Sequence, residues 1–186
     1  MDTLMLARYL IGKAIVHDVT AGRLSGRIVE TEAYPDGDLA SLAFRGKTRR
    51  NSSMFLGRGH AHVYFTYGSW FMLNVTNEPR GVGAGVLLRA LEPLEGIDLM
   101  QCSRAGTRLI DLARGPGRLS DAMRVDLAND GGDLCAAGSL WLAVTALNTG
   151  AIGESARIGL TRNVDPLWRF YERGNPHVSG PKRLRE

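Results

Sequence analysis

Glu30, Glu32 and Tyr34 occupy every second position of the segment Arg27-Ile28-Val29-Glu30-Thr31-Glu32-Ala33-Tyr34. Side chains of an extended chain alternate in direction, so these three share a face. Ile28 is expected beside them, with Val29, Thr31 and Ala33 on the opposite face. A carboxylate next to a flat ring is equipped to hold a planar substrate and activate a water beside it. An amphipathic edge strand with two solvated glutamates would give the same pattern, so the rest of the chain must decide.

The run Val63-Tyr64-Phe65-Thr66-Tyr67-Gly68-Ser69-Trp70-Phe71-Met72-Leu73-Asn74 is a second concentration of chemistry. It reads as two aromatic strands meeting at a Tyr67-Gly68 turn. A tyrosine at a turn tip is not buried by its own strands. It is either one exposed ring of a core-lining hairpin or a wedge thrust between base pairs. Arg45, Lys47, Arg49 and Arg50 lie between the two segments and suit backbone phosphate contact, which sets affinity and salt dependence rather than selectivity. Lys182, Arg183 and Arg185 read as a solvated tail.

Metal and disulfide chemistry find little support. Cys102 and Cys135 stand apart without a CxxC, and His17, His60, His62 and His177 are scattered. His60 and His62 alternate on a strand-like stretch without a third ligand, so neither a metal nor another cofactor is expected.

The elements that must position these groups follow from local pattern. A chain of 186 residues with 44% hydrophobic and 23% charged residues is expected to form one soluble domain. The net charge of +4 permits an anionic partner without establishing one. No apolar run approaches a membrane span and no signal peptide is legible, so the cell interior is the expected location. Residues 3–11 predict a helix, 13–17 and 24–32 a hairpin around Ala21-Gly22, and 35–53 a long polar loop. Strands are expected at 61–66, 70–76, 84–91, 139–144 and 156–161. Helices are expected at 94–101, 107–113, 115–123 and 165–172. Hairpins dominate and helices are grouped, which predicts an α+β domain with a mostly antiparallel curved sheet and peripheral helices.

Taken in order, ETEAY at 30–34, RGK at 45–47, VYFTYG at 63–68, Asn74, VLLRALEPLEG at 86–96, GPGRL at 115–119 and RFYERGNPHVS at 169–179 make a specific combination. It resembles the alkyladenine, or 3-methyladenine, DNA glycosylases over essentially the whole chain. The resemblance implies a monofunctional enzyme that flips a damaged purine out of duplex DNA. It then hydrolyses the N-glycosidic bond with an activated water and leaves an abasic site. It casts Glu32 as the base, with Arg89 and the backbone carbonyl of Ile158 sharing the water. Tyr34 and Tyr64 become the walls that stack the base, where cation–π attraction favours alkylated purines. Asn74 becomes the pocket group that disfavours guanine, and Tyr67 the intercalating wedge. Glu30 does not match the base position and is expected to be structural. The implied partner is double-stranded DNA carrying a damaged purine, met by a monomer without a cofactor.

One departure stands out. Leu42 occupies the place where the family carries a pocket histidine, in the run Ala40-Ser41-Leu42-Ala43-Phe44-Arg45-Gly46. That raises an alternative, a member that binds damage but excises weakly or with altered range. Two other classes fit less well. A pure nucleic-acid binder has no use for a carboxylate beside phosphates, and a glycoside hydrolase needs two catalytic carboxylates.

Overall fold

The computed structural model describes residues 1–66 and 68–182. Helix α1 (Thr3–Leu10) opens on Asp2, whose carboxylate accepts the Met5 amide at 2.8 Å, and turns Thr3, Ala7 and Leu10 inward. Strands β1 (Ala14–Val19) and β2 (Gly22–Tyr34) form the expected hairpin, closing at the Val19–Gly22 pair, with Gly22 at φ +139°. A second hairpin joins β3 (Ala61–Thr66) to β4 (Trp70–Thr76). Strand β5 (Gly85–Glu95) then returns between β4 and β2.

Helices α2 (Ile97–Ser103) and α3 (Pro116–Ala122) follow, then β6 (Leu140–Ala143), β7 (Ile152–Ser155) and β8 (Arg169–Glu172). The sheet runs β3-β4-β5-β2-β1-β6, the strand pairings among the described residues are antiparallel, and β8 joins the far half of β2 and carries β7. The result is a single compact α+β domain with a curled half-barrel sheet, as the sequence predicted. No helix among the described residues is long and apolar enough to cross a membrane.

Alternation along the strands separates two faces. Val63, Leu73, Val86 and Leu88 belong to the main core with Leu10 of α1, Leu119 of α3 and Met123 just beyond it. Their neighbours His62, Tyr64, Met72, Asn74, Leu87 and Arg89 line a cleft on the other face. Gly117 lets α3 dock, because a Cβ there would lie 2.7 Å from the Trp70 ring.

Several expectations fail for identifiable reasons. Ile28 joins the core with Ala33, while Val29 packs with Ala90, Tyr171 and Val178. Register shifts between Ile28, Glu30 and Thr31 insert an irregularity that exchanges the faces upstream of Glu30. Strand β5 continues through Pro93 because Pro93 sits opposite Gly26 at another register shift, where a missing N–H is tolerated. The expected helix at 107–113 is one 3-10 turn, Leu109–Asp111, after which Arg114 bridges Ala90. Instead of a strand at 156–161, β7 ends at Ser155, and the next residues arch toward the cleft. Residues 165–172 are not helical. Pairing of β8 with β2 and β7 overrides local propensity there.

Candidate active site

One row of side chains crosses four strands. Glu32 on β2 pairs with Leu87 on β5, Leu87 with Asn74 on β4, and Asn74 with His62 on β3. Leu87, Asn74 and His62 of this row line a cleft of about 360 Å³ walled by Tyr34, Tyr64, Leu42 and Ile158. That volume is in the range of small-molecule sites.

Glu32 is fully buried at one end of the row. Its Oε1 accepts the Ile158 amide at 2.8 Å and lies 3.2 Å from Nη1 of Arg89. Its Oε2 accepts the Tyr34 hydroxyl at 2.9 Å. These three partners line the cleft and the carboxylate lies against them. Burial, then the neighbouring Glu32 charge, pushes the Tyr34 phenol far above its ordinary range, so the hydroxyl stays a donor. The Ile158 contact that the structure shows is made through the amide.

Glu30 is held differently. Its Oε1 accepts from Nε of Arg89 at 2.8 Å, Nε of Arg169 at 2.7 Å and the Ser179 hydroxyl at 2.8 Å, and its Oε2 accepts the Ser179 amide at 2.6 Å. Burial pushes this carboxyl up, but Arg89 and Arg169 outweigh it and hold it below the ordinary glutamate range. With its lone pairs taken up by these donors, Glu30 anchors Arg89 rather than facing a substrate. Arg89 in turn is kept cationic: burial opposes its charge, and Glu32 and Glu30 more than offset that.

Tyr34 has a rigid backing that its own sequence neighbourhood did not announce. The Arg157 guanidinium stacks 4.6 Å from the Tyr34 ring centre and 5.0 Å from that of Trp168. Arg157 also donates to the Ala33 carbonyl at 2.9 Å and pairs with the buried Asp38. On the facing wall, Tyr64 stacks with His62, ring centres 5.3 Å apart and planes 21° from parallel. Asn74 is buried, and its amide nitrogen donates to the His62 carbonyl at 3.3 Å.

Leu42 stands on the rim, 48% exposed, in the loop of residues 35–53. Asn51 ties that loop together, donating to the carbonyls of Leu42 at 2.8 Å and Gly46 at 3.1 Å. Arg45, Lys47, Arg49 and Arg50 are all exposed on it, and Arg50 donates to the Phe65 carbonyl at 2.5 Å. Arg49 and Arg50 border a groove shared with Tyr64 and Phe65. Tyr67, the expected wedge, lies outside the described residues.

A family model described as methylpurine-DNA glycosylase matches residues 1–176 of the chain. This chain belongs to the methylpurine-DNA glycosylase family. Among curated relatives, one from Mesorhizobium japonicum is 58% identical over 185 residues, covering 100% of this chain and 89% of that protein. Another from Paraburkholderia phytofirmans is 53% identical over 184 residues, covering 99% and 86%. A third from Chlorobaculum tepidum is 44% identical over 186 residues, covering 96% and 87%. All three are provisionally named 3-methyladenine DNA glycosylase.

In this methylpurine-DNA glycosylase fold two further groups stand beside the cleft: His62, expected from sequence only as a histidine without metal partners, and Arg157, not expected at all. Period-two alternation with Tyr64 already placed His62 on the same face. The signal for Arg157 was absent, since its partners Tyr34, Asp38 and Trp168 are brought together only by folding.

Proposed function

We propose that the protein is a monofunctional DNA glycosylase that extrudes an alkylated or deaminated purine into the cleft between Tyr34 and Tyr64. It then hydrolyses the N-glycosidic bond with a water activated by Glu32. The observation that carries this reading is a buried carboxylate at the end of an aromatic-walled cleft, ringed by Arg89, the Ile158 amide and the Tyr34 hydroxyl.

The chemistry follows from that setting. A charged or poorly paired purine is a fair leaving group, so positive charge develops on the sugar as the bond stretches. The Glu32 carboxylate stabilises that charge and takes the proton of the attacking water. Arg89 and the Ile158 carbonyl are assigned to orient the water, and Asn74 to disfavour undamaged guanine. Of the two glutamates on β2, Glu32 is the one held against the cleft residues, because Glu30 is committed to Arg89, Arg169 and Ser179. That argues against a glycoside-hydrolase pair. No lysine lines the cleft among the described residues, which supports hydrolysis by water over an amine-linked strand break.

Duplex DNA is the proposed partner. The exposed Arg45, Lys47, Arg49 and Arg50 beside the cleft are assigned to its phosphates, and Tyr67 to the gap left by the flipped base. The proposed actor is a monomer working without a cofactor. A second reading rests on Leu42, which offers no imidazole at the cleft wall: a damage binder with weak or altered excision.

Single-turnover excision from duplexes carrying one damaged purine, followed by alkali, tests both readings. Alkali-dependent breaks with wild-type protein and none with Glu32→Gln are expected. Tight lesion binding without breaks at any lesion would favour the damage binder. Breaks by Glu32→Gln at the wild-type rate would remove Glu32 as the base.

A further inference from the structure

His62 is fully buried, lines the cleft, and its Nε2 has no hydrogen-bond partner among the described residues. Buried polar atoms are rarely left without a partner, so each such atom calls for an explanation. The other ring nitrogen is engaged. Nδ1 lies 2.6 Å from the Ser53 hydroxyl oxygen, and that oxygen lies 2.6 Å from Oδ1 of Asp130. Asp130 also accepts the Val63 amide at 2.8 Å. Burial raises the Asp130 carboxyl, but His62, whose Nδ1 lies 3.6 Å from Oδ1, and the bonds from Ser53 and Val63 outweigh it and hold it below the ordinary aspartate range.

Proton counting then assigns the tautomer. A carboxylate only accepts, so Ser53 gives its single proton to Asp130. The Ser53 oxygen must therefore accept from Nδ1–H of His62, and it is the tautomer with a lone pair on Nε2 that fits this chain of bonds.

Position supplies the rest. His62 ends the transverse row that begins at Glu32, three strand steps away. At the usual strand spacing that is roughly 14 Å between backbones, a gap for two inward side chains and a purine. With its glycosidic bond at Glu32, a flipped purine turns its sugar-remote edge toward the His62 end. The C6 substituent lies on that edge.

We propose that His62 reads the C6 substituent of the flipped purine, its Nε2 accepting a hydrogen bond from the 6-amino group of an alkylated adenine. The inference rests on the glycosylase reading above. A C6 carbonyl, as in alkylated guanine or hypoxanthine, meets this lone pair with its own and is disfavoured. Leu42 has no polar side-chain head to offer the base, whereas His62 brings an unpartnered ring nitrogen to this end of the row.

DNA treated with dimethyl sulfate carries 3-methyladenine and 7-methylguanine on one polymer, so both bases compete for the same protein. Chromatography of the released bases gives their ratio for wild type, His62→Phe, His62→Gln and Ser53→Ala. Loss of one buried hydrogen bond should lower the 3-methyladenine share roughly tenfold in His62→Phe, which keeps the stacked ring. The Gln amide oxygen should restore part of it, and Ser53→Ala, which frees the tautomer, should lower it with the imidazole intact. An unchanged ratio with both bases falling together would mean that His62 is only structural. A ratio that rises would mean that Nε2 donates, which also overturns the proposal.

Fluorescence anisotropy supplies a readout that needs no excision. In a Glu32→Gln background, affinity for duplexes containing 3-deaza-3-methyladenine relative to hypoxanthine should fall on adding His62→Phe. If wild type released neither base, the glycosylase reading would fail, and this affinity ratio would still decide whether His62 reads C6.

Discussion

Nη1 of Arg89 lies 3.2 Å from Oε1 of Glu32, and both side chains are buried. Because Nε of the same guanidinium is held 2.8 Å from Glu30, Arg89 spans two carboxylates with a rigid fork. A lysine carries the charge as a single point and cannot reproduce both contacts. Arg89→Lys should fold, with a lowered melting temperature, and should excise more slowly by roughly a hundredfold in single turnover. Wild-type rates in that variant would show that the fork is dispensable.

The Tyr34 hydroxyl and the Tyr34 ring have separable jobs. Tyr34→Phe deletes the donor to Oε2 of Glu32 and keeps the surface that rests on Arg157. Lesion binding should persist while the excision rate falls about tenfold, the worth of one buried charge-assisted bond. Anisotropy and single-turnover rates on the same duplex separate the two effects. A loss confined to binding would contradict this division.

Glu30 links the site to acid stability. Its ordinary value is 4.5, and in the folded protein burial raises it while Arg89 and Arg169 lower it further, for a net depression. A depressed carboxyl contributes stability that is present above the unfolded value and lost as pH falls through the folded one. Wild-type unfolding free energy should therefore decline with acid below about pH 4.5 more steeply than that of Glu30→Gln. Near neutrality the variant should be less stable by about 3–5 kcal/mol, since two buried arginines lose their shared partner. Urea unfolding across that range measures both, and parallel acid slopes would sink the assignment.

Cations on the 35–53 loop should act on affinity alone. If Arg45, Lys47, Arg49 and Arg50 each meet a phosphate, every alanine substitution should reduce the slope of log affinity against log salt by about 0.9. The loss should be equal for lesion-bearing and undamaged duplex. A variant that alters the preference between the two duplexes, with an unchanged slope, would move that residue from the phosphates to the base.

Neighbours along the chain made part of this protein readable. The Asp2 cap and inward spacing of α1, both hairpins, and the Glu32–Tyr34 alternation depend on contacts within a few residues, where backbone geometry dictates the outcome. The same holds for the alternation of His62 with Tyr64, although the contacts with Ser53 and Asp130 that fix one ring nitrogen come from residues distant in the chain.

Other features belong to the tertiary structure alone. Arg169 and Ser179 reach Glu30 from 139 and 149 residues away, and those contacts separate a structural glutamate from the one beside the cleft. Arg169 also sits in β8, where pairing with β2 turned a stretch with helical pattern into a strand. Ile28 illustrates the limit most sharply. Alternation put it on the Glu32 face, but a register irregularity before Thr31 turned it into the core. Side-chain direction repeats every second residue only while the ladder is regular. Where the sheet must curl, pairing and burial with distant strands choose the face, and no local pattern records that choice.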